Sequence, residues 1–293
     1  MHLFILGVGY SGLALARRAL DAGWRVGGTV RHAGNARGLQ AREIEGLAFD
    51  ADRDDADAVA ARLGDAGALL VSIPPGAGAD RLPEQLADAI ARKTPRLAWI
   101  GYLSTVGVYG DHTGAWVDET TPCAPLAQRS KARLAAEGAW MRLGAAAGKP
   151  VIIFRLPGIY GPGRNALVAL RAGTAKRVVK PGQVFNRVHV EDIAAALHAS
   201  ITADLESAVY NLTDDAPSPP QDVVAYAAAL LGVEPPPEVP FEDAGLSGMA
   251  ASFYGENKRV RNDKIKRAIG FAPAFPSYRE GLRALLEAGE GQA

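Results

Sequence analysis

His2-Leu3-Phe4-Ile5-Leu6-Gly7-Val8-Gly9-Tyr10-Ser11-Gly12 opens the chain and decides its fold. A short run, apolar apart from His2, leads into glycines at positions 7, 9 and 12, the G-x-G-x-x-G spacing. A helical pattern with Leu13, Ala16 and Leu20 on one face follows and stops at Gly23. Strand, glycine turn and helix in that order are what a dinucleotide-binding turn requires. Gly7 allows the tight turn, Gly9 lets the backbone approach a pyrophosphate, and Gly12 lets the helix pack close to the strand. Tyr10, Ser11 and Gly12 begin the helix, where backbone N–H groups and the helix dipole favour a bound anion.

Composition narrows what such a turn can serve. The chain has 293 residues, enough for one large α/β domain or two unequal ones, and 48% of them are hydrophobic. Lys plus Arg number 32, as do Asp plus Glu, so neutrality gives no general electrostatic reason to bind nucleic acid or a membrane surface. No apolar run approaches the ~20 residues of a membrane span. The first apolar run lacks a preceding basic region and ends in glycines, so no signal peptide is expected. Cys123 is the single cysteine, which excludes an intrachain disulfide and fits a reducing compartment, so a cytoplasmic protein is expected. His2, His32, His112, His189 and His198 show no close ligand spacing, and no metal site is expected.

Along the chain, strands alternate with helices as in a parallel sheet. Trp24 to Val30 reads as the second strand, with Arg31 just beyond it. An acid at this strand end would suit a free ribose 2′-hydroxyl. A guanidinium takes a 2′-phosphate by two parallel hydrogen bonds, so Arg31 predicts NADP in preference to NAD. Leu47 to Asp50 is a short third strand, with Asp50 placed to accept from an adenine amino group. Ala68 to Ile73 is a buried fourth strand ended by Pro74-Pro75-Gly76, so Ser72, Ile73 and Pro74 should flank the cofactor. Leu82 to Lys93 is helical. Arg96 to Tyr102 is the fifth strand, and Ser104-Thr105 after it place a hydroxyl pair beside the nicotinamide. Ser130 to Leu143 is a long helix and Val151 to Leu156 the sixth strand. Pro157, Gly158 and Ile159 then begin a turn-rich segment expected to cross the crevice mouth. After Asn165 the alternation breaks down. The expectation is a dinucleotide-binding domain over 1–165 and a smaller substrate-side region over 166–293, interleaved with the last strands.

Several separated motifs in order carry a family resemblance. They are the glycine turn, Ser104-Thr105 with Val108-Tyr109-Gly110-Asp111, Arg155 with Ile159-Tyr160-Gly161-Pro162, Arg187-Val188-His189-Val190-Glu191-Asp192, Tyr210-Asn211-Leu212, and Asn257-Lys258-Arg259-Val260 with Gly270-Phe271. The chain resembles the extended, epimerase/dehydratase-like branch of the short-chain dehydrogenase/reductase superfamily over nearly its whole length. The resemblance implies an α/β, doubly wound parallel (Rossmann) sheet of about seven strands binding NAD(P), with a small C-terminal substrate region. It implies a small-molecule substrate, a sugar nucleotide or another carbonyl or alcohol, and a homodimer through the helices from Leu82 and Ser130. One residue fewer between the first glycines marks an atypical subgroup.

The catalytic motif departs from that pattern. The family uses Tyr-x-x-x-Lys, whose spacing puts both groups on one helix face. Anchored on Glu137, the helix places Arg129 at the Tyr position and Arg133 at the Lys position; anchored on Lys131, it places Ala127 at the Tyr position. Neither register supplies a tyrosine. Thr105 aligns with the family's hydroxyl partner, and Arg133 can replace the Lys toward ribose hydroxyls. Arg129 is a poor proton donor and suits an anionic substrate or a cofactor phosphate instead. An acid would have to be Tyr109, Tyr160 or His189. Two readings follow: an NADP-dependent oxidoreductase or epimerase with non-standard proton chemistry, or an NADP(H)-binding regulator without turnover.

Overall fold

The computed structural model describes residues 1–76 and 80–291. In chain order the strands are β1 His2–Leu6, β2 Arg25–Val30, β3 Ile44–Ala48, β4 Ala68–Val71, β5 Trp99–Thr105, β6 Trp116–Val117, β7 Val151–Leu156, β8 Gly158–Tyr160, β9 Arg177–Val179, β10 Arg187–His189, β11 Ala208–Asn211, β12 Glu238–Pro240 and β13 Arg259–Val260. The helices are α1 Tyr10–Asp21, α2 Ala33–Gln40, α3 Asp57–Leu63, α4 Leu82–Asp88, α5 Gln128–Ala147, α6 Ala166–Arg171, α7 Val190–Thr202, α8 Pro220–Leu231, α9 Gly248–Tyr254, α10 Asp263–Ile269 and α11 Tyr278–Glu287.

The chain forms two compact units, each assembled from several stretches. The first comprises Met1–Thr105, Gln128–Arg155 and Ile193–Tyr210. The second comprises Val106–Ala127, Leu156–Asp192 and the chain from Asn211 onward.

The first unit is built on a seven-stranded parallel sheet in the order β11-β7-β5-β4-β1-β2-β3. Ile5 of β1 lies opposite Gly28 on one side and Leu70 on the other. The order reverses at β1, the kind of switch point where open α/β sheets bind ligands beyond their strand ends. β4 is buried throughout, as its unbroken apolar run requires when helices cover both sheet faces. On one face Phe4, Leu69, Ile100 and Ile153 pack with Leu86, Ile90 and Trp140. The sequence-predicted fifth strand begins too early. Pairing of Ala68–Val71 with Trp99–Tyr102 sets the register, so Ser104 and Thr105 end the strand itself instead of following it.

The second unit holds parallel two-stranded pairs, β8 with β10, β9 with β12 and β6 with β13. Gly158–Tyr160, expected as turn, is strand, because Ile159 and Tyr160 pair across to Val188 and His189. One core gathers Tyr160, Leu167, Val223, Tyr278, Leu282 and Leu285. Gly281 leaves room there for the Tyr160 ring, whose hydroxyl stands 2.1 Å from where a Cβ would lie. A satellite core of Val178, Ala244 and Tyr254 includes α9, which the sequence reading passed over because its exposed Met249 and Phe253 blur the apolar period. Among the described residues no helix is long and apolar enough to cross a membrane.

Candidate functional site

The glycine turn is shaped by contacts from two neighbouring strand ends. Gly7 takes φ +88°, a conformation costly to any residue with a Cβ. A Cβ there would also meet Ile73 Cγ1 at 2.8 Å. Gly12 sits so close to the turn that a Cβ would stand 3.0 Å from the Gly7 carbonyl oxygen. Around Gly9, by contrast, a Cβ would meet nothing within 4 Å. That open space adjoins the start of α1, which has no side-chain cap and no acid in its first turn. An uncapped helix start beside open space is the cradle a pyrophosphate needs, so these residues fit a dinucleotide.

Thr29, which sequence reasoning missed, holds this turn in place. Its side-chain Oγ1 accepts from Gly7 N–H at 2.9 Å and its carbonyl from Val8 N–H at 2.7 Å. A hydroxyl residue near the end of a strand that is apolar after Arg25 was the available signal. Ser72 and Ile73 both donate their backbone N–H groups to the Leu6 carbonyl, at 2.8 and 3.1 Å, which brings the end of β4 and the following Pro74 beside the turn.

Arg31, just after β2, is exposed, with its Nε 3.8 Å from Asp50 Oδ1 and its Nη2 3.8 Å from Asp52 Oδ2. Asp50 also accepts from the backbone N–H of Asp52 at 3.2 Å. Arg31 and Asp50, singled out separately in the sequence, therefore face each other.

At the end of β5, where Thr105 is half-buried, the preceding Ser104 joins a buried ionic group. Ser104 Oγ donates to Glu137 Oε1 at 2.5 Å, and Arg155 donates to Glu137 from Nε at 3.2 Å and from Nη2 at 2.8 Å. All three side chains are buried. Taking two charges out of water is tolerable here because the pair is doubly bonded and Ser104 occupies a further acceptor site. The sequence offered Glu137 and Arg155 as separate motif residues and did not join them. One turn before Glu137, Arg133 donates from Nη1 to the Leu103 carbonyl, its guanidinium 5.7 Å from the centre of the Tyr102 ring. Burial pushes the Tyr102 hydroxyl up to about 12. Arg129 lies exposed in the first turn of α5.

The acids considered in place of the missing tyrosine lie in the second unit. Tyr109 is fully buried and donates its hydroxyl to Asn211 Oδ1 at 2.8 Å. Asn211 in turn donates to the Arg261 carbonyl at 3.1 Å. Tyr160 is buried, donates to the Ser277 carbonyl at 3.3 Å, and is raised well above the ordinary phenol range by burial. His189 is buried between Tyr160 and Phe275, its Nδ1 accepting from Glu191 N–H at 3.2 Å. Burial pushes it down to about 4, so the ring is neutral at neutral pH and holds no extra proton to give. Each of the three is hydrogen-bonded within the second unit. Pro157, Gly158 and Ile159 belong to the same unit, where Gly158 N–H donates to the Asn186 carbonyl at 3.2 Å. Burial also pushes Asp214 up to about 8, against the opposing pull of the Ala216 N–H and of Arg187. Among the described residues no group of three His, Cys, Asp or Glu side chains is placed to hold a metal ion.

An open-order parallel sheet with an uncapped glycine turn at its switch point defines a dinucleotide-binding α/β protein. The chain belongs to the NAD dependent epimerase/dehydratase family, whose sequence model matches residues 3–213. It is 30% identical to Protein YeeZ of Escherichia coli (strain K12) over 290 residues, covering 93% of this chain and 95% of that one. It is 29% identical to the 3-diazoavenalumate denitrifying reductase of a Streptomyces species over 244 residues, covering 79% of this chain and 73% of that one. Among solved structures, a protein of unknown function from Silicibacter pomeroyi DSS superposes with a TM-score of 0.87 at 45% identity, over 99% of both chains. UDP-glucuronic acid 4-epimerase from Bacillus cereus in complex with NAD shares the fold, with a TM-score of 0.77 at 17% identity over 97% of both chains.

Proposed function

We propose that this protein is an NAD(P)-dependent oxidoreductase that takes NADP in preference to NAD and reduces an acceptor needing no proton from a tyrosine. One observation carries the reading: the glycine turn is intact, while the helix that bears Tyr-x-x-x-Lys in the family bears Arg129 and Arg133. When bound, the reduced nicotinamide supplies a hydride. The open space at Gly9 and the start of α1 hold the pyrophosphate, and Arg31 meets the 2′-phosphate. Thr105 holds a substrate oxygen, and the exposed Arg129 binds a substrate anion.

The Streptomyces relative supports this choice of chemistry. Its named substrate combines a carboxylate with a diazo group. A carbon that receives hydride while its diazonium leaves as N2 forms one C–H bond and breaks one C–N bond. The bonding pair departs with the nitrogen, and no protein acid is required. Cytoplasmic location, a small-molecule substrate and a homodimer through α4 and α5 belong to the same reading. The alternative within the same cofactor chemistry is a sugar-nucleotide epimerase, the activity named for a fold neighbour.

A second reading, an NADP(H)-binding regulator without turnover, is favoured by Arg133 itself, which is tied to the Leu103 carbonyl. The test is an anaerobic assay of nicotinamide oxidation against carboxylate-bearing aryl diazonium compounds, aldehydes and UDP-sugars. N2 release with deuterium from labelled cofactor on the product carbon is expected with the first set. Tight cofactor binding with no turnover in any set supports the regulator instead.

A further inference from the structure

The ends of β2, β3 and β4 bring Arg31, Asp52 and Gly76 together on the same edge as the glycine turn. The two carboxylate contacts of Arg31, each 3.8 Å, are ion pairs too long for hydrogen bonds. Its N–H donors are thus held in a field without being committed to those two oxygens. Asp52 is the more exposed of the two carboxylates, and it reaches in two directions. Oδ2 faces Arg31, while Oδ1 lies 2.6 Å from where a Cβ on Gly76 would stand. Glycine at position 76 is therefore what admits the Asp52 side chain between the loop after β4 and the guanidinium. Asp50 is differently placed: it is less exposed, accepts from Asp52 N–H in its own loop and lies near Arg53.

We propose that Asp52 is a specificity-determining residue for the dinucleotide, acting against its 2′-phosphorylated form. The inference rests on the reading that Arg31 meets the ribose. A 2′-phosphate arriving at Arg31 brings up to two negative charges beside Asp52 and must displace its carboxylate from the guanidinium. A 2′-hydroxyl brings no charge and leaves the pair standing. Asp52 thus lowers affinity for NADP(H) and leaves affinity for NAD(H) nearly as it is, so that the preference set by Arg31 is held to a moderate ratio.

Calorimetric titration of NADPH and NADH into the full chain tests this. Asp52→Asn is expected to tighten NADPH by about fivefold, as befits a partly screened charge contact, with NADH unchanged. The gain should shrink as salt is added. Gly76→Ala keeps the charge but places a methyl group where Asp52 Oδ1 lies; φ there is not positive, and the clash is with a mobile side-chain end. It should therefore change NADPH affinity without removing the charge. Arg31→Ala should weaken NADPH by about tenfold and spare NADH. If Asp52→Asn and Gly76→Ala leave NADPH binding unchanged while Arg31→Ala weakens it, Asp52 has no such role and the NADP reading stands. If Arg31→Ala leaves NADPH binding intact, the NADP reading fails and takes this inference with it.

Discussion

The glycine turn and the polar side chains at the other strand ends invite comparison, because both stand where this fold does chemistry. At the turn it is the backbone that lies open, with glycine at positions 7, 9 and 12. Gly9 has no side chain, the helix start is uncapped, and the space beside it is open. Elsewhere the polar side chains are long, and the fold has bound them to other groups. Glu137 is shared by Ser104 and Arg155, Arg133 is tied to Leu103, and Tyr109 is tied to Asn211. A ligand can be received where sequence leaves room. The second set is held by partners within the fold.

The strongest way to break this contrast is Glu137→Ala. It strands the buried Arg155 guanidinium and should destabilise the protein by about 3–5 kcal/mol in chemical denaturation. Replacing both partners by methionine should recover much of that loss. If Glu137→Ala alone is benign, the buried group is not what holds the end of β5.

Gly7→Ala comes next. The φ of +88° and the 2.8 Å approach to Ile73 together should cost roughly 1–3 kcal/mol, with cofactor affinity lost alongside stability.

Asp214→Asn sharpens the picture of buried side chains through pH. The folded carboxyl is raised from 3.8 to about 8, so the folded state holds its proton more tightly than the unfolded chain. That contribution is present below the unfolded value and is lost as pH rises through the folded one. Asparagine carries no such titration, so the variant's Tm should gain on the wild type as pH climbs toward 8. His189 works in the opposite sense: lowered from 6.5 to about 4, it loses stability as pH falls through that window. Well above pH 6.5 His189 no longer titrates in either state, and a Tm difference that does not change with pH there would contradict the raised Asp214 carboxyl.

Gly9→Ala should move stability least, by under about 1 kcal/mol at an N-cap, since nothing lies within 4 Å of the new methyl group. Its effect should appear in NADPH titration as a loss of affinity. A variant that is stable and still binds tightly would show that the open space is not the pyrophosphate cradle.

The sheet was legible because each of its signals is local. Ala68–Val71 is apolar without a break, and the glycines at 7, 9 and 12 fix a turn between a strand and a helix that both announce themselves. Where the structure departs from the local signals, a long-range partner decides the outcome. The β5 boundaries follow from pairing with β4, and Gly158–Tyr160 is strand only because Arg187–His189 lies beside it. At the site, the sequence by itself determined the chemical inventory: a glycine turn between strand and helix, a cation after β2, and a helix at 128–147 that carries Arg129 and Arg133 and no tyrosine. Only the tertiary structure decided where the long side chains end. It set Arg31 facing Asp50 and Asp52, Arg155 on Glu137, and His189 neutral among rings. The reason is physical. A glycine acts through its own backbone, which neighbouring residues fix, whereas a charged side chain reaches several ångströms and takes its meaning from groups distant in the chain.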